Sequence, residues 1–449
     1  METRPDRIES ALTLLRAVTP GSIARFRSSI APEWIDEALL STGTATVRRR
    51  RLPAEQVVWL VLGMALMRDR SIVDVVDKLD LALPDRRGKA VAGAAVTQAR
   101  ARLGDEPMQW LFMRCAEAWA HDSARRHAWR GLALYGVDGT SLRVPDSPAN
   151  REYFGGQSGR NESDSGYPLV RMAILMSLRS HLLAAASFGP YASEHEYAAD
   201  LWSSVRDDSL TIVDRGFFAA GILIPLHRGG TNRHWLTRAK SNTKWRVVKT
   251  FSNGDDLVEM DVSSEALAQD PTLPASYQMR AVRYQRPGFD AQTLLTSLVD
   301  AEAYPAEEIV ALYHERWELE LTYHELKSEM LDRQEAIRSQ SPIAVAQELW
   351  GLLLAYNLIR LEMERIADEA AVAPNRISFI VALRFIRDEW FWLEGTRTPG
   401  AIPRHLAKLR LQIARFLLPE RRPRTYPRAV KIKMSNYMRK RPPTEGKPK

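Results

Sequence analysis

The sequence predicts a multi-domain α/β protein whose core is a mixed β-sheet, with helical regions before and after it in the chain. Helix-like apolar spacing dominates up to about residue 128, strand-like and helix-like runs alternate from 129 to 240, and long helical patterns follow residue 300. A length of 449 residues allows about three domains, and an apolar fraction of 45% permits sizeable cores.

Residues 1–128 are predicted to form a helical N-terminal domain. Its runs with helical apolar spacing are Ile35–Leu40, Pro53–Met67, Ile72–Leu79 and Met108–Ala120. A further helix is predicted before Gly104, and it presents Gln98, Arg100 and Arg102. These side chains suit contacts with DNA, although an exposed, solvated helix fits the same pattern.

Residues 129–240 are predicted to form the first part of the α/β core. The pattern gives three strands, a helix, a strand, a helix and a strand, at Leu132–Val137, Leu169–Leu178, Leu182–Phe188, Glu194–Val205, Leu210–Val213, Phe217–Leu226 and His234–Ala239. This order predicts a mixed sheet with helices packed on it.

The rest of the chain is predicted to interrupt and then complete this core. Alternating runs separated by turn residues predict a β-rich insertion at 241–300. Two long helices, near 305–331 and 344–367, are expected to make 301–375 the second part of the core. Residues 376–449 are predicted to be a helical C-terminal region with a basic tail.

Composition favours an intracellular protein that binds a polyanion. The single cysteine, Cys115, rules out an intrachain disulfide framework, and the charged N-terminus has no apolar signal segment. The apolar run Val57–Met67 is too short to span a bilayer, so a cytoplasmic protein without a membrane partner is expected.

Positive charge is concentrated at the C-terminal end. The net charge is +8, yet residues 421–449 alone carry +10, which leaves −2 for the rest of the chain. Such a tail most often binds nucleic acid, although a solubilising terminus is the simpler alternative. If the tail does bind DNA, deleting it should make DNA affinity less dependent on salt. The basic cluster Arg48–Arg51 is a weak signal by itself.

One predicted helix carries an unusual stripe of polar side chains. Its members are Tyr313, Arg316, Glu320 and Lys327, at offsets of three, seven and fourteen residues from the first. At about 100° per residue, these offsets place all four on one side of an α-helix. A phenol, two cations and a carboxylate suit a surface that holds a phosphate and presents a carboxylate to a metal ion.

Two aspartates are candidates for the further carboxylates of such a site. Asp138 and Asp214 each follow a strand-like run and precede a glycine, which predicts a strand end beside a tight turn. Three acids without Cys or His favour Mg²⁺ or Mn²⁺, and two such ions about 3.5–4 Å apart can promote phosphodiester cleavage. Taken singly, each acid has a simpler interpretation: Asp138 closes a turn, Asp214 caps the next helix, and Glu320 is a solvated helix residue.

As a set, these residues resemble the insertion-sequence-four (IS4) family of bacterial DDE transposases, which have a ribonuclease-H-like core. The resemblance covers about residues 30–390, and the polar stripe meets the family's Y-(2)-R-(3)-E-(6)-K signature at every position. The segments Val137–Thr140 and Ile212–Gly216 resemble its first and second aspartate motifs. The helical N-terminal region resembles the family's DNA-binding domain, and the β-rich insertion precedes the glutamate helix as in relatives.

The resemblance implies an activity and its catalytic residues. Asp138, Asp214 and Glu320 would be catalytic and would bind two Mg²⁺ or Mn²⁺ ions. Water would cleave at the terminal inverted repeats, and the freed 3′-hydroxyl would attack target DNA in cut-and-paste transposition. A dimer is expected in the synaptic complex, because two ends of double-stranded DNA must be brought together. Association with the nucleoid follows from binding DNA.

The resemblance also implies DNA contacts. Tyr313, Arg316 and Lys327 would contact phosphates of the transposon end, and Arg238 and Lys240 match basic positions that contact DNA in relatives. One position departs from the pattern, because Gln292 stands where relatives that cut through a hairpin can carry a tryptophan that stacks a flipped base.

Several alternatives remain open at this point. Trp245 could stack a base in place of Gln292. The run Glu194-His195-Glu196 has the residue types of a metal cluster, but it is interpreted as an exposed N-terminal helical turn, because adjacent side chains on a helix point apart. Two other classes of protein fit the same core: a structure-selective nuclease that cuts without joining, and a transposase-derived DNA-binding protein without catalysis.

Overall fold

The computed structural model describes residues 29–45, 52–82, 91–155, 166–332, 336–395 and 402–419. The basic cluster Arg48–Arg51 and the tail 421–449 lie outside these described residues. The α-helices are α1 Pro32–Ser41, α2 Ala54–Leu66, α3 Ile72–Lys78, α4 Gly93–Leu103, α5 Glu106–Arg126, α6 Pro148–Phe154, α7 Glu194–Ala199, α8 Ala220–Arg228, α9 Ser264–Gln269, α10 Ala306–Glu315, α11 Trp317–His324, α12 Pro342–Glu369, α13 Phe379–Gly395 and α14 Ile402–Ala414.

The predicted N-terminal helices form, and local sequence explains their ends. The Ser71 side chain accepts a hydrogen bond from the Asp74 amide and so caps α3, while Gly104 ends α4 at a φ of 69°, which glycine adopts without strain. The predicted helix from Glu194 to Val205 is shorter, because α7 ends at Ala199 and a 3-10 turn, Trp202–Ser204, follows.

The strands form one nine-stranded mixed sheet in the order β3-β2-β1-β4-β5-β9-β8-β7-β6. They are β1 Ala133–Arg143, β2 Leu169–Ser177, β3 Leu183–Gly189, β4 Ser209–Val213, β5 Arg233–Arg238, β6 Arg246–Ser252, β7 Asp255–Asp261, β8 Ser276–Tyr284 and β9 Gln292–Thr296. β1, β4 and β5 are parallel, whereas β2 is antiparallel to both β1 and β3. This order and these directions are those of a ribonuclease-H-like core, as the resemblance implied.

The β-rich insertion extends this sheet. Its last strand, β9, pairs antiparallel with β5 through Leu236↔Thr296 and Thr237↔Leu295, and β8, β7 and β6 follow outwards. The insertion is therefore joined to the core by backbone hydrogen bonds, in the same sheet.

Two apolar layers cover the two faces of the sheet. On one face, a continuous cluster joins Leu134 and Ile212 to the N-terminal helices and to α12. On the other face, a second cluster contains Tyr135 and Val137. The N-terminal helices thus share a core with the sheet, and residue 128 does not mark a gap in the packing.

The helix α12 lies in the centre of the first cluster. By length and composition it is long and apolar enough to cross a membrane. It is also longer than the apolar run Val57–Met67. Because 78% of its apolar window is buried within the protein, it is a core helix.

The helix that carries the polar stripe differs from the prediction of one continuous α-helix. α10 ends at Glu315, Arg316 joins it to α11, and Glu325–Met330 forms a π-helix. The wider π-turn means that the seven residues from Glu320 to Lys327 no longer follow regular α-helical spacing. The four side chains therefore do not form the single straight stripe that was predicted.

Candidate active site

The two aspartates lie on neighbouring parallel strands. The β1–β4 ladder ends at Val137↔Val213, so Asp138 and Asp214 each come one residue after the last pair. The prediction that Asp138 stands at a strand end beside a tight turn is wrong, because β1 continues and Gly139 pairs with Ala173 of β2. What ends at Asp138 is the pairing with β4.

Asp214 directly follows β4 and precedes a 3-10 turn, Arg215–Phe217. Among the described residues, its side chain makes no capping hydrogen bond to that turn, so the alternative that it is only a helix cap is not supported. Since side chains alternate along a strand, Asp214 lies on the same face of the sheet as Leu210 and Ile212. α11 packs on that face, because Leu319 belongs to the same apolar cluster.

The Asp138 carboxyl group lies among other acids. The pKa of this group is raised to about 6, chiefly by burial and also by Glu194 and Asp214, while the Gly139 amide and Arg316 act to lower it. The Gly139 amide donates to Oδ1 at 2.8 Å. A cation placed between these carboxylates would relieve their mutual repulsion.

Glu320 lies on α11, whose Leu319 packs over Gly136 of β1. Its Oε1 accepts a hydrogen bond from Nη2 of Arg316 at 2.9 Å. Burial lowers the pKa of Arg316, but Tyr313, Glu320 and Asp214 outweigh it and raise that pKa. The charge of Arg316 also acts to lower the pKa of Asp138. One guanidinium therefore lies within electrostatic range of all three acids.

The acids fit a divalent metal ion by donor chemistry. All of the donor atoms are carboxylate oxygens, which suit Mg²⁺ and Mn²⁺. Within the described residues, however, no three His, Cys, Asp or Glu side chains are placed to hold one metal ion together. Glu320 is paired with Arg316 instead, through Oε1 of its carboxylate.

Some of the predicted DNA-binding residues meet in a cleft of about 920 Å³ beside Asp214. Arg238, Tyr313 and Arg316 line it. Lys240 and Lys327 are not among its lining residues. Lys240 donates from Nζ to the carbonyl of Phe218 at 3.2 Å, and Lys327 lies half-buried on the π-helix.

The cleft has further lining residues that the sequence did not indicate. They include Tyr284, Arg286, Phe289, His314 and Arg376. Four of these five belong to the insertion or to the stretch that follows the signature helix, and no motif marks them. The alternating runs in the insertion predicted strands there, but they did not indicate a role for Tyr284.

Gln292 also lines the cleft, and its side chain is engaged. Its Oε1 accepts hydrogen bonds from the Tyr284 hydroxyl at 3.1 Å and from Nη1 of Arg238 at 3.3 Å. Trp245 is partly buried against the second apolar cluster and is not a lining residue of this cleft. The cleft therefore does not support Trp245 as a substitute for Gln292.

The interpretation of Glu194–Glu196 as a merely exposed turn is wrong for its first two residues. A Cβ on Gly139 would lie 2.6 Å from Cγ of Glu194, so this glycine admits the glutamate beside Asp138. Glu194 is paired with Arg171, and His195 bonds through Nε2 to the carbonyl of Gly216 at 2.9 Å. The strand order brings α7 to the site, which local spacing could not indicate.

The three N-terminal residues predicted to contact DNA differ in burial. Gln98 and Arg102 are exposed on α4, whereas Arg100 is buried. Its guanidinium donates to Gln347 Oε1 at 2.8 Å and to Ser339 Oγ at 3.0 Å. The structure thus contradicts a DNA contact for Arg100, because packing of α4 on α12 encloses it.

A ribonuclease-H-like sheet with acids on two neighbouring parallel strands, and a third on a covering helix, is the arrangement of metal-dependent nucleic-acid phosphotransferases. Residues 20–113 match the family described as insertion element 4 transposase N-terminal, and residues 131–358 match the transposase DDE domain. The chain is 38% identical to the transposase InsG for insertion sequence element IS4 of Escherichia coli strain K12, over 90% of this chain and 91% of that one.

The chain belongs to the IS4 family of DDE transposases, enzymes that cleave DNA and transfer strands. A DDE domain implies dependence on divalent metal ions. The putative transposase InsZ of the same strain is 37% identical over 51% of this chain and 76% of that one. A cryo-EM structure of a piggyBac transposase synaptic complex with hairpin DNA aligns at 13% identity and a TM-score of 0.43, covering 89% of this chain and 86% of that one.

Proposed function

We propose that Asp138, Asp214 and Glu320 are the catalytic acids, that they bind two Mg²⁺ or Mn²⁺ ions, and that the enzyme cuts and transfers the ends of an insertion sequence. One observation carries this proposal: all three carboxylates lie within electrostatic range of a single cation, the Arg316 guanidinium, which is hydrogen-bonded to Glu320. The ions, when bound, activate the attacking oxygen and stabilise the leaving oxygen of the phosphodiester.

Arg316 has a second role in this proposal. Its side chain is 20% exposed, contacts Glu320 and lines the cleft together with Asp214. A DNA phosphate that enters the cleft offers the guanidinium a bidentate partner with the same single negative charge as a carboxylate. Arg316 then turns to the phosphate, and Glu320 becomes free to complete the metal site.

The cleft supports contacts to the DNA strand that is cut. Arg238, Arg286 and Arg376 supply positive charge, and Tyr313 supplies a hydroxyl beside Asp214. Lys240 and Lys327, which lie outside the cleft lining, are proposed to contact phosphates further along the duplex. Gln98 and Arg102 on α4 are proposed to contact the terminal inverted repeat.

Two further features follow from the proposed reaction. Bringing two transposon ends together requires a dimer in the synaptic complex, and binding DNA requires association with the nucleoid in the cytoplasm. The cleavage route is a separate matter, because Gln292 is an amide that stacks poorly on a base and is already bonded to Tyr284 and Arg238.

The test uses purified full-length protein with cut transposon ends, Mg²⁺ and a target plasmid. Asp138→Asn, Asp214→Asn and Glu320→Gln should each reduce cleavage and joining at least about 100-fold, while end binding stays within roughly twofold of wild type. Exposed Glu196→Gln on α7 is the matched control and should keep full activity. Retained cleavage in any of the three variants would exclude that residue from the chemistry. Cleavage without any joined product would favour a nuclease instead.

A further inference from the structure

A contact between α11 and β1 has no place in the proposed chemistry so far. The hydroxyl of Tyr323 donates a hydrogen bond to the main-chain carbonyl of Asp138. At this point of the β1–β2 ladder, Asp138 pairs with Ile174. A side chain from the helix thus binds the strand backbone at the first catalytic aspartate.

Tyr323 lies three residues after Glu320 on the same helix. Residues three apart on an α-helix are neighbours on one side, so the position of one follows the position of the other. The hydroxyl bond therefore joins the two segments that carry Asp138 and Glu320.

A second contact lies one helical turn earlier. Leu319 packs over Gly136, where a Cβ would lie 3.1 Å from both Leu319 methyl groups. Leu319 and Tyr323 are four residues apart on α11, and they meet β1 at Gly136 and Asp138, two residues apart on the strand. Two contact points fix both the height and the rotation of the helix, whereas one would leave it free to pivot.

The opposite side of α11 is fixed independently. Glu318 is buried and bonds through Oε2 to Nε2 of His181 at 2.7 Å. The Arg360 guanidinium contacts the other nitrogen of that imidazole at 2.7 Å. Since the helix is held from behind, the Tyr323 bond determines only the side that faces the catalytic strands.

We propose that Tyr323 is a positioning residue that sets the distance between Glu320 and Asp138 and so prepares the metal site. The proposal rests on the proposed function of these two acids. A purely structural role would predict a loss of stability alone, whereas positioning predicts weaker metal binding at unchanged DNA affinity.

The test compares Tyr323→Phe with Tyr135→Phe in the full chain. Tyr135 is also buried on β1, and its hydroxyl bonds to His121 Nδ1 at 2.8 Å, but it lies in the apolar cluster on the opposite face of the sheet. Both variants lose one buried hydroxyl, so both should melt at similar, slightly lower temperatures.

Only Tyr323→Phe should change metal dependence. We expect its Mn²⁺ affinity on an end-DNA complex, measured by EPR titration, to fall roughly fivefold, and its cleavage rate at limiting Mg²⁺ to fall about tenfold. Unchanged Mn²⁺ affinity together with a lowered melting temperature would overturn the proposal. If Tyr323→Phe does not fold, Leu319→Met loosens the other contact point and should weaken Mn²⁺ binding in the same direction.

Asp138→Asn and Glu320→Gln are measured alongside these variants. If both acid variants lose Mn²⁺ affinity while Tyr323→Phe does not, only the positioning role fails. If the acid variants bind Mn²⁺ like wild type, the proposed function itself fails.

Discussion

Replacing Gly136 by alanine tests how closely α11 must approach β1. An added Cβ would lie 2.9 Å from Cδ1 of Leu178 and 3.1 Å from both Cδ atoms of Leu319. Leu178 and Leu319 are fully buried, so neither side chain can turn out to solvent. The helix must therefore move by a few tenths of an ångström or the core must be overpacked.

Both responses have a predictable magnitude. Overpacking a well-packed core costs about 1–3 kcal/mol, so Gly136→Ala should lower the free energy of unfolding by about 2 kcal/mol. Because Leu319 immediately precedes Glu320, a shift of the helix also moves the carboxylate that is proposed to be catalytic. A small misplacement of a catalytic group can cost one or two orders of magnitude in rate, and we expect cleavage to fall roughly tenfold.

The assay combines thermal unfolding with a cleavage time course on transposon-end DNA. Gly221→Ala is the matched control, because a Cβ at that position in α8 meets no atom within 4 Å among the described residues. It should unfold at or slightly above the wild-type temperature and cleave normally. Wild-type stability and cleavage in Gly136→Ala would refute the close approach on which this reasoning depends.

Three further predictions address other parts of the molecule. Arg316→Ala should tighten Mn²⁺ binding in the absence of DNA by roughly two- to fivefold, because a part-exposed ion pair contributes up to about 1 kcal/mol. Cleavage should fall in the same variant. Weaker Mn²⁺ binding in a titration would contradict this prediction. Arg100→Met should reduce the free energy of unfolding by about 2–4 kcal/mol in denaturant titrations and leave DNA affinity of the folded protein unchanged. Burial lowers the pKa of His121 from 6.5 to about 4, so the stability gained by keeping this imidazole neutral is complete above pH 6.5 and is lost as the pH falls towards 4. Thermal unfolding between pH 8 and 5 should show that loss, with a smaller change in His121→Phe; equal slopes would contradict it.

Much of the fold could be predicted from the sequence because its signals are local. Apolar periodicity identified the strands that lead into Asp138 and Asp214, and Gly104 correctly ended α4. The position of Asp138 within its strand was not predictable, because the polar residues that follow it resemble a turn. They stay in the strand since β2 pairs with them, and that partner lies about thirty residues away in sequence.

Long-range contacts explain the other differences. Arg100 has the composition of a DNA-reading residue, but Gln347 and Ser339, more than two hundred residues later, surround it. The π-helix after His324 was likewise hidden, because its sequence has ordinary helix-forming residues. Local periodicity indicates which side of a helix or strand is apolar. It does not indicate which distant side chains will contact a given polar side chain.

The sequence by itself determined the family, the order of the strands and helices along the chain, and the three candidate acids. These depend on residue type and spacing, which are properties of the chain alone. Only the tertiary structure decided that Glu320 is paired with Arg316, that Glu194 lies beside Asp138, and that Tyr323 joins α11 to β1. Such pairings depend on the height and rotation at which α11 and α7 pack on the sheet, and these are set by the shapes of buried side chains brought together from distant parts of the chain.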